Sequence, residues 1–157
     1  MKTVSGDLLK LAIDNHFDVI IHGCNCFCTM GAGIAASIRS EFPEALSADE
    51  DTIRGDKSKL GNYSCATVRR KNHTITIING YTQYNHSGNG VLVDYKAVST
   101  LFAKLKKKYS GKRFGYPKIG AGLAGGDWYI ISAIIDQELR EEDHTLVVFN
   151  RCEQNGE

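Results

Sequence analysis

The feature that most constrains this fold is an apolar run, residues 17–21, that leads straight into a polar, glycine-containing segment, residues 22–36. The run is typical of a buried strand in a parallel sheet, and Asn25 comes where that strand would end. Gly31 and Gly33 allow a ligand close to backbone N–H groups, and a following helix N-terminus adds a positive dipole. Because open α/β sheets bind ligands at the carboxyl ends of their strands, we predict a phosphate-binding loop beside the Asn25 side chain.

A second glycine loop, residues 120–126, repeats this arrangement. It follows a predicted strand over 113–119, and Asp127 is placed to cap a helix over 128 to about 140. Parallel strands with crossover helices bring such loops to one edge of the sheet, where two helix N-termini suit a diphosphate. No Gly-x-Gly-x-x-Gly segment is followed at the right distance by an acidic residue, and no Gly-Lys-Ser/Thr phosphate loop occurs.

Strand and helix patterns alternate along the rest of the chain. The β-rich runs 63–70 and 74–78 are separated by three polar residues, which predicts a hairpin and therefore a mixed sheet. The other predicted elements are a short strand at 2–5, a helix at 8–13 capped by Asp7, helices at 33–42 and from 43 to about 48, a helix capped by Asp94 that ends at 109, and a last strand at 145–149.

Composition limits the function more than the fold. With 157 residues, 24% of them charged, and a formal net charge of +1, the chain is typical of one globular domain and calls for no nucleic-acid or membrane partner. We predict a single domain over 1–152 and a disordered tail over 153–157. No segment is typical of a signal peptide or a membrane span, and five cysteines without disulfide spacing favour reduced thiols in the cytoplasm.

Three of the cysteines, Cys24, Cys26 and Cys28, occupy every second position in the segment 22–36, which contains the first glycine loop. A zinc site would need a second cysteine pair elsewhere, and that pair is missing, so no metal site is predicted. A thiolate nucleophile at Cys24 or Cys26 with His22 as its base stays an alternative, because these side chains align only if the strand continues through the loop.

The order and spacing of these motifs resemble those of a macro domain, the ADP-ribose-binding α/β/α module. Gly6-Asp7 is similar to the family's opening motif, and the resemblance runs from there to the last strand. It implies a three-layer α/β/α fold with a mixed, mostly parallel central sheet. It also implies that Asp7 receives the adenine amino group, that Asn25 contacts the distal ribose and that the two glycine loops bind the diphosphate.

Within that family, residues 22–26 and 30–35 are most similar to the ADP-ribose-1″-phosphate phosphatases. Terminal ADP-ribose glycohydrolases place a lysine nucleophile where this chain has residues 79–81, which include no lysine, and a catalytic aspartate where it has Ala124. The resemblance therefore implies hydrolysis of the terminal phosphate of ADP-ribose-1″-phosphate. The alternatives are an ADP-ribosyl hydrolase acting on modified macromolecules and a non-catalytic ADP-ribose reader.

We predict a catalytic set of Asn25, Asp127 and His22. Asn25 orients the ribose, and Asp127 or His22 activates water or the leaving oxygen. The alternatives are a hydrogen-bonded core role for His22 and simple helix caps at Asp7 and Asp127. The implied ligand-binding residues are Asp7, Leu8, Asn25, Met30, Gly31, Ala32, Gly33, Ile34, Ile119, Gly120, Ala121, Gly122, Leu123, Ala124, Gly125, Phe149 and Asn150.

The resemblance also implies which molecules bind. The ligand is ADP-ribose or ADP-ribose-1″-phosphate, with ADP-ribosylated macromolecules as further partners. We predict no cofactor, no metal, no membrane and no direct nucleic-acid binding.

Overall fold

The structure, a computed structural model, describes residues 1–149, so Asn150 and the predicted tail over 153–157 lie outside the described residues. The strands are β1 (Lys2–Ser5), β2 (Val19–Cys24), β3 (Tyr63–Arg70), β4 (His73–Tyr81), β5 (Arg113–Tyr116) and β6 (Asp143–Val148). They form one six-stranded sheet in the order β1-β6-β5-β2-β4-β3. All neighbours are parallel except the β3–β4 hairpin, which confirms the predicted mixed, mostly parallel sheet.

Five helices connect the strands, three of them begun by an aspartate as predicted. Asp7, Asp94 and Asp127 each accept backbone N–H groups at the start of a helix. The helices are α1 (Leu8–Ile13), α2 (Gly33–Glu41), α3 (Pro43–Glu50), α4 (Tyr95–Tyr109) and α5 (Trp128–Glu138), with a short 3-10 turn at Lys57–Lys59. Within residues 1–149, no helix has the length and apolar character needed to cross a membrane.

Helices cover both faces of the central strands, and successive strand residues point to opposite faces. In β2, Ile20 packs in the core that includes residues of α1, α2 and α3, whereas Ile21 packs in the core that includes residues of α4 and α5. The same division separates Ile77 from Ile78 in β4. The three-layer α/β/α architecture is therefore confirmed.

The carboxyl ends of β4 and β5 differ most from the predicted ones, and both differences set where the following loops begin. β5 ends at Tyr116 rather than at residue 119, because Pro117 has no N–H to donate to the ladder. β4 continues past residue 78 to Tyr81, which pairs with Cys24 of β2. The segments that follow β2, β4 and β5 consequently start at the same edge of the sheet.

Candidate functional site

A cavity of about 500 Å³ opens at the carboxyl ends of β2 and β5. Asn25 and the second glycine loop both contribute to its wall, so the two predicted loops do meet around one space. The wall residues from the first loop and the start of α2 are Gly23, Cys24, Asn25, Thr29, Met30, Gly31, Ala32, Gly33, Ile34 and Ala35. Those from the rest of the chain are Asp49, Gln83, His86, Pro117, Lys118, Ile119, Gly120, Gly122, Leu123 and Ala124.

Asn25 lies in the turn that follows β2, and the turn fixes its amide group. Its Oδ1 accepts the Phe27 N–H at 2.8 Å, and its Nδ2 donates to Thr29 Oγ1 at 2.7 Å. An amide nitrogen carries two hydrogens, so one N–H of Nδ2 stays free for a ligand in the cavity. The side chain is therefore oriented by the protein itself, without help from a ligand.

The first loop enters α2 without a side-chain cap. The N-cap residue is Ala32, whose methyl group accepts no hydrogen bond. The N–H groups over 33–35 are consequently left without intrahelical acceptors, at the positive end of the helix dipole. Gly33 has φ +58°, and no atom lies within 4 Å of where its Cβ would be. Open space beside unpaired donors is the arrangement that accommodates a phosphate.

The second loop is tightly closed. The Gly126 N–H donates to the Gly120 carbonyl at 2.7 Å. Gly120 has φ +73°, and a Cβ on it would lie 2.7 Å from Val93 Cγ2, so only glycine fits there without displacement. Within residues 1–149, the N–H groups over 122–124 have no hydrogen-bond partner. This loop therefore adds further backbone donors to the cavity.

Asp127 follows the second loop but lies outside the cavity wall and is exposed to solvent. Its Oδ1 accepts the Tyr129 N–H at 2.9 Å, and its own N–H donates to the Tyr95 hydroxyl at 3.0 Å. The contact with the Tyr129 N–H is that of a helix cap, the alternative raised from the sequence.

His22 is fully buried in β2 and also lies outside the cavity wall. Its Nε2 is 2.7 Å from Asn79 Oδ1, and the Asn79 amide nitrogen donates to the Ala45 carbonyl and to Ser64 Oγ. Asn79 Oδ1 is therefore an acceptor, and His22 Nε2 carries the proton. Burial lowers the pKa of His22 to about 4, so the ring is neutral near pH 7.

The cysteine next to this histidine is arranged for packing. Cys24 Sγ lies 3.5 Å from His22 Nε2, and burial raises the pKa of the Cys24 thiol well above its ordinary value. Burial likewise raises the pKa of the Cys26 thiol. A thiolate nucleophile at either position has no support from these surroundings.

The residues predicted to contact adenine lie apart from this cavity. Asp7 lines a second, more open groove of about 620 Å³ between α1 and α2. Ala35 contributes to the cavity and Ala36 to the groove, so the first turns of α2 separate the two spaces. Leu8 is buried, whereas Phe149 is 54% exposed. Ala121 and Gly125 belong to the second loop but not to the cavity wall.

Five polar residues of the wall are absent from the predicted set of site residues: Thr29, Asp49, Gln83, His86 and Lys118. Lys118 precedes the second glycine loop and Gln83 follows β4, so their positions next to strand ends were signals that pointed to them. Asp49 gave no such signal, because it sits near the end of α3 and far in sequence from both loops.

Among known proteins, the chain is 36% identical over 141 residues to the "Uncharacterized 17.5 kDa protein in tk-vs intergenic region" of Enterobacteria phage T4. The match covers 87% of this chain and 88% of the phage protein. No family model matches the chain.

Solved macrodomains share the fold at low sequence identity. The Mycobacterium tuberculosis DarG macrodomain gives a TM-score of 0.74 at 20% identity, covering 94% of this chain and 96% of that one. Thermosipho africanus DarTG, solved in complex with ADP-ribose, gives a TM-score of 0.73 at 17% identity, covering 96% of this chain and 42% of that one. The chain has the macro-domain fold, and it belongs to the same family as the 17.5 kDa protein of phage T4.

Proposed function

We propose that this protein binds ADP-ribose nucleotides in the cavity between its two glycine loops and hydrolyses the terminal phosphate of ADP-ribose-1″-phosphate. The observation that carries the proposal is the shared cavity, in which unpaired backbone N–H groups of both loops meet the oriented amide of Asn25. The complex of Thermosipho africanus DarTG with ADP-ribose supports the choice of ligand.

The ligand spans the cavity and the neighbouring groove. Its diphosphate accepts N–H groups from the start of α2 and from residues 122–124, which hold negative charge without any side-chain cation. The adenine lies in the groove, where Asp7 Oδ1 is used by the Leu9 and Lys10 N–H groups and Oδ2 is left to accept the adenine amino group. The exposed ring of Phe149 is available as a flanking surface for the base.

Asn25 positions the reacting end of the ligand. Its free N–H donates to an oxygen of the distal ribose, and because the turn already fixes the amide, this contact requires little ordering when the ligand binds. Catalysis in such a site is mainly positioning together with hydrogen bonds to the charge that develops on the phosphate. Lys118 in the wall supplies a positive side chain for that charge.

The choice of phosphatase chemistry rests on the last residues of β4. No lysine occurs over 79–81, and the Asn79 side chain there is fully buried and hydrogen-bonded to His22. A buried lysine, Lys59, does lie in this half of the protein, but its Nζ donates to the Cys26 carbonyl at 3.1 Å and it is outside the cavity wall. Neither the end of β4 nor Lys59 therefore supplies a lysine nucleophile for attack on the ribose.

Two assays on the purified chain test the proposal. Titration calorimetry with ADP-ribose should give one-to-one binding, and ADP-ribose-1″-phosphate should release inorganic phosphate. Asn25→Ala should reduce phosphate release about ten- to hundredfold because the ribose loses its positioning contact. The control is Asn89→Ala, an exposed residue outside the cavity wall, which should leave both assays unchanged.

Other outcomes assign other functions. Binding of ADP-ribose without phosphate release indicates a reader. Free ADP-ribose released from an ADP-ribosylated peptide, without phosphate release, indicates an ADP-ribosyl hydrolase. No binding of ADP-ribose at millimolar concentration overturns the proposal as a whole.

A further inference from the structure

Asp49 is the one carboxylate in the cavity wall formed by the described residues. It is 1% exposed, and its Oδ1 accepts the Tyr81 hydroxyl at 2.7 Å. Its Oδ2 is buried and has no hydrogen-bond partner within residues 1–149. A buried carboxyl oxygen without a partner is costly for a fold, so an unpaired one beside a ligand cavity points to a contact made with the ligand.

A chain of hydrogen bonds leads to this carboxyl group and sets its orientation. His22 Nε2 donates to Asn79 Oδ1, Asn79 Nδ2 donates to Ser64 Oγ at 3.0 Å, and Ser64 Oγ lies 2.7 Å from the Tyr81 hydroxyl. Because the Tyr81 hydrogen goes to Asp49, the Ser64 hydroxyl must donate to Tyr81. Every donor along the chain therefore points towards Asp49 Oδ1, which leaves Oδ2 as the reactive atom.

No cation neutralises Asp49. The basic group that acts on its pKa is Lys59, whose Nζ contacts the Cys26 carbonyl at 3.1 Å, Cys28 Sγ at 3.6 Å and the Tyr81 ring. Within the described residues, no ion pair to Asp49 forms. Burial is the main cause that raises the pKa of Asp49 above its ordinary value, against the opposing effects of Tyr81 and Lys59. The other titratable groups that act on it or border it are Glu50, Cys24, Cys26 and Cys28.

We propose that Asp49 is the catalytic acid of this site, and that its Oδ2 proton is transferred to the ribose oxygen that leaves when the terminal phosphate is hydrolysed. The inference rests on the proposed phosphatase function. It assigns the proton transfer to the buried carboxyl of α3 in place of Asp127 and His22, both of which lie outside the cavity wall.

Atoms and electrons balance in this step. A water oxygen forms a bond to phosphorus while the bond from phosphorus to the ribose oxygen breaks, and the electron pair of that bond stays on the ribose oxygen. The Asp49 Oδ2 proton neutralises this oxygen, which gives ADP-ribose and inorganic phosphate. The carboxylate then regains a proton from the water that attacked. A neutral acid also avoids repulsion between a carboxylate and the bound phosphate.

Asp49→Asn is the decisive variant. The asparagine Oδ1 still accepts the Tyr81 hydroxyl, and its Nδ2 still donates a hydrogen bond from the Oδ2 position, but it has no proton to transfer. We expect kcat for phosphate release to fall about 10²- to 10⁴-fold while KM and the affinity for ADP-ribose change less than about threefold. The matched control is Asp51→Asn, an exposed carboxylate two residues further on, which should behave as wild type.

The pH dependence of kcat distinguishes a catalytic acid from a residue with a purely structural role. Wild-type kcat should fall as pH rises through the pKa of Asp49 in the complex, because the acid form is the active one. Tyr81→Phe removes a hydrogen bond that stabilises the carboxylate, so this fall should move to higher pH. In Asp49→Asn, this fall of kcat with rising pH (the alkaline limb of the profile) should be absent.

Each result has one meaning. If wild type releases phosphate and Asp49→Asn keeps kcat within twofold, Asp49 is not the acid and the phosphatase function stands. If wild type binds ADP-ribose and releases no phosphate, the proposed function fails and this inference fails with it. If Asp49→Asn does not fold, as judged by circular dichroism, the Tyr81→Phe profile decides, and an unshifted limb overturns the inference.

Discussion

The two glycine loops look alike in sequence, but the residues packed beneath them differ in polarity. Beneath the first loop, His22 of β2 joins a buried polar network, and α2 begins at Ala32 without a cap. Beneath the second loop the contacts are apolar: the space next to Gly120 is filled by the side chains of Val93 and Ile131. Here α5 begins with its own carboxylate in the capping position.

This contrast shows what a glycine-loop pattern leaves undefined. The pattern indicates where backbone can approach a ligand, but the residue at the N-cap decides whether the helix end is open to an anion or already occupied. At α2 the helix end is open; at α5 a carboxylate takes a donor and adds negative charge. In the proposed function, phosphate binding at the second loop therefore depends on the turn, whereas at the first loop it depends on the helix.

The largest expected effect is on the free energy of unfolding, when one glycine in each loop is replaced by alanine. In Gly120→Ala the new methyl group would meet Val93 at 2.7 Å with φ at +73°, whereas in Gly33→Ala it would meet nothing within 4 Å with φ at +58°. We expect the free energy of unfolding to fall by roughly 2–5 kcal/mol for Gly120→Ala and by about 1 kcal/mol for Gly33→Ala. Denaturant unfolding measures both, and equal losses would contradict the difference in packing.

The next effect tests the polar network beneath the first loop. His22 has a pKa of about 4 in the folded protein and an ordinary value of 6.5, so the unfolded chain binds more protons between these values. Stability should therefore fall as pH drops from about 6.5 to about 4, by about 3 kcal/mol from this residue. His22→Gln should lose this part of the dependence. His144, whose pKa burial also lowers, is present in both proteins and so cancels in the comparison.

Much of the fold was predictable because its signals are local. Three aspartates at helix starts, a proline at the α2–α3 junction and the apolar runs of β2 and β6 each fix one element. The ends of β4 and β5 were less well predicted. The extent of β4 depends on its pairing with β2, a contact that no local pattern contains.

The part of the candidate site that could be predicted lies next to strand ends. Asn25 and both glycine loops follow strand ends, and the topology brings them together as expected. Asp49 could not be found this way, because its surroundings include Tyr81 of β4 and Cys28 of the first loop, which are distant from it in sequence. Asp127 shows the opposite. It directly follows the second glycine loop in sequence, yet it lies outside the cavity wall.

A charge at the open end of α2 tests the first loop directly. Ala32→Asp places a carboxylate at the N-cap, where the helix dipole tolerates it, so the fold should be at least as stable as wild type. Affinity for ADP-ribose should fall about ten- to hundredfold, because the carboxylate repels the diphosphate and competes for its N–H donors. Calorimetry measures the loss. The matched control is the uncharged Ala32→Asn, which should lose less affinity, and equal losses would rule out the electrostatic explanation.

The smallest effect concerns the capped helix at the second loop. Asp127→Ala removes the acceptor of the Tyr129 N–H, so the free energy of unfolding should fall by about 1 kcal/mol, a value typical of a lost N-cap. Phosphate release and ADP-ribose affinity should stay within about twofold of wild type, because the side chain is exposed and outside the cavity wall. A variant with unchanged stability but a hundredfold loss of phosphate release would reverse the comparison. It would show that Asp127 reaches the ligand and that Asp127, not Asp49, supplies the acid.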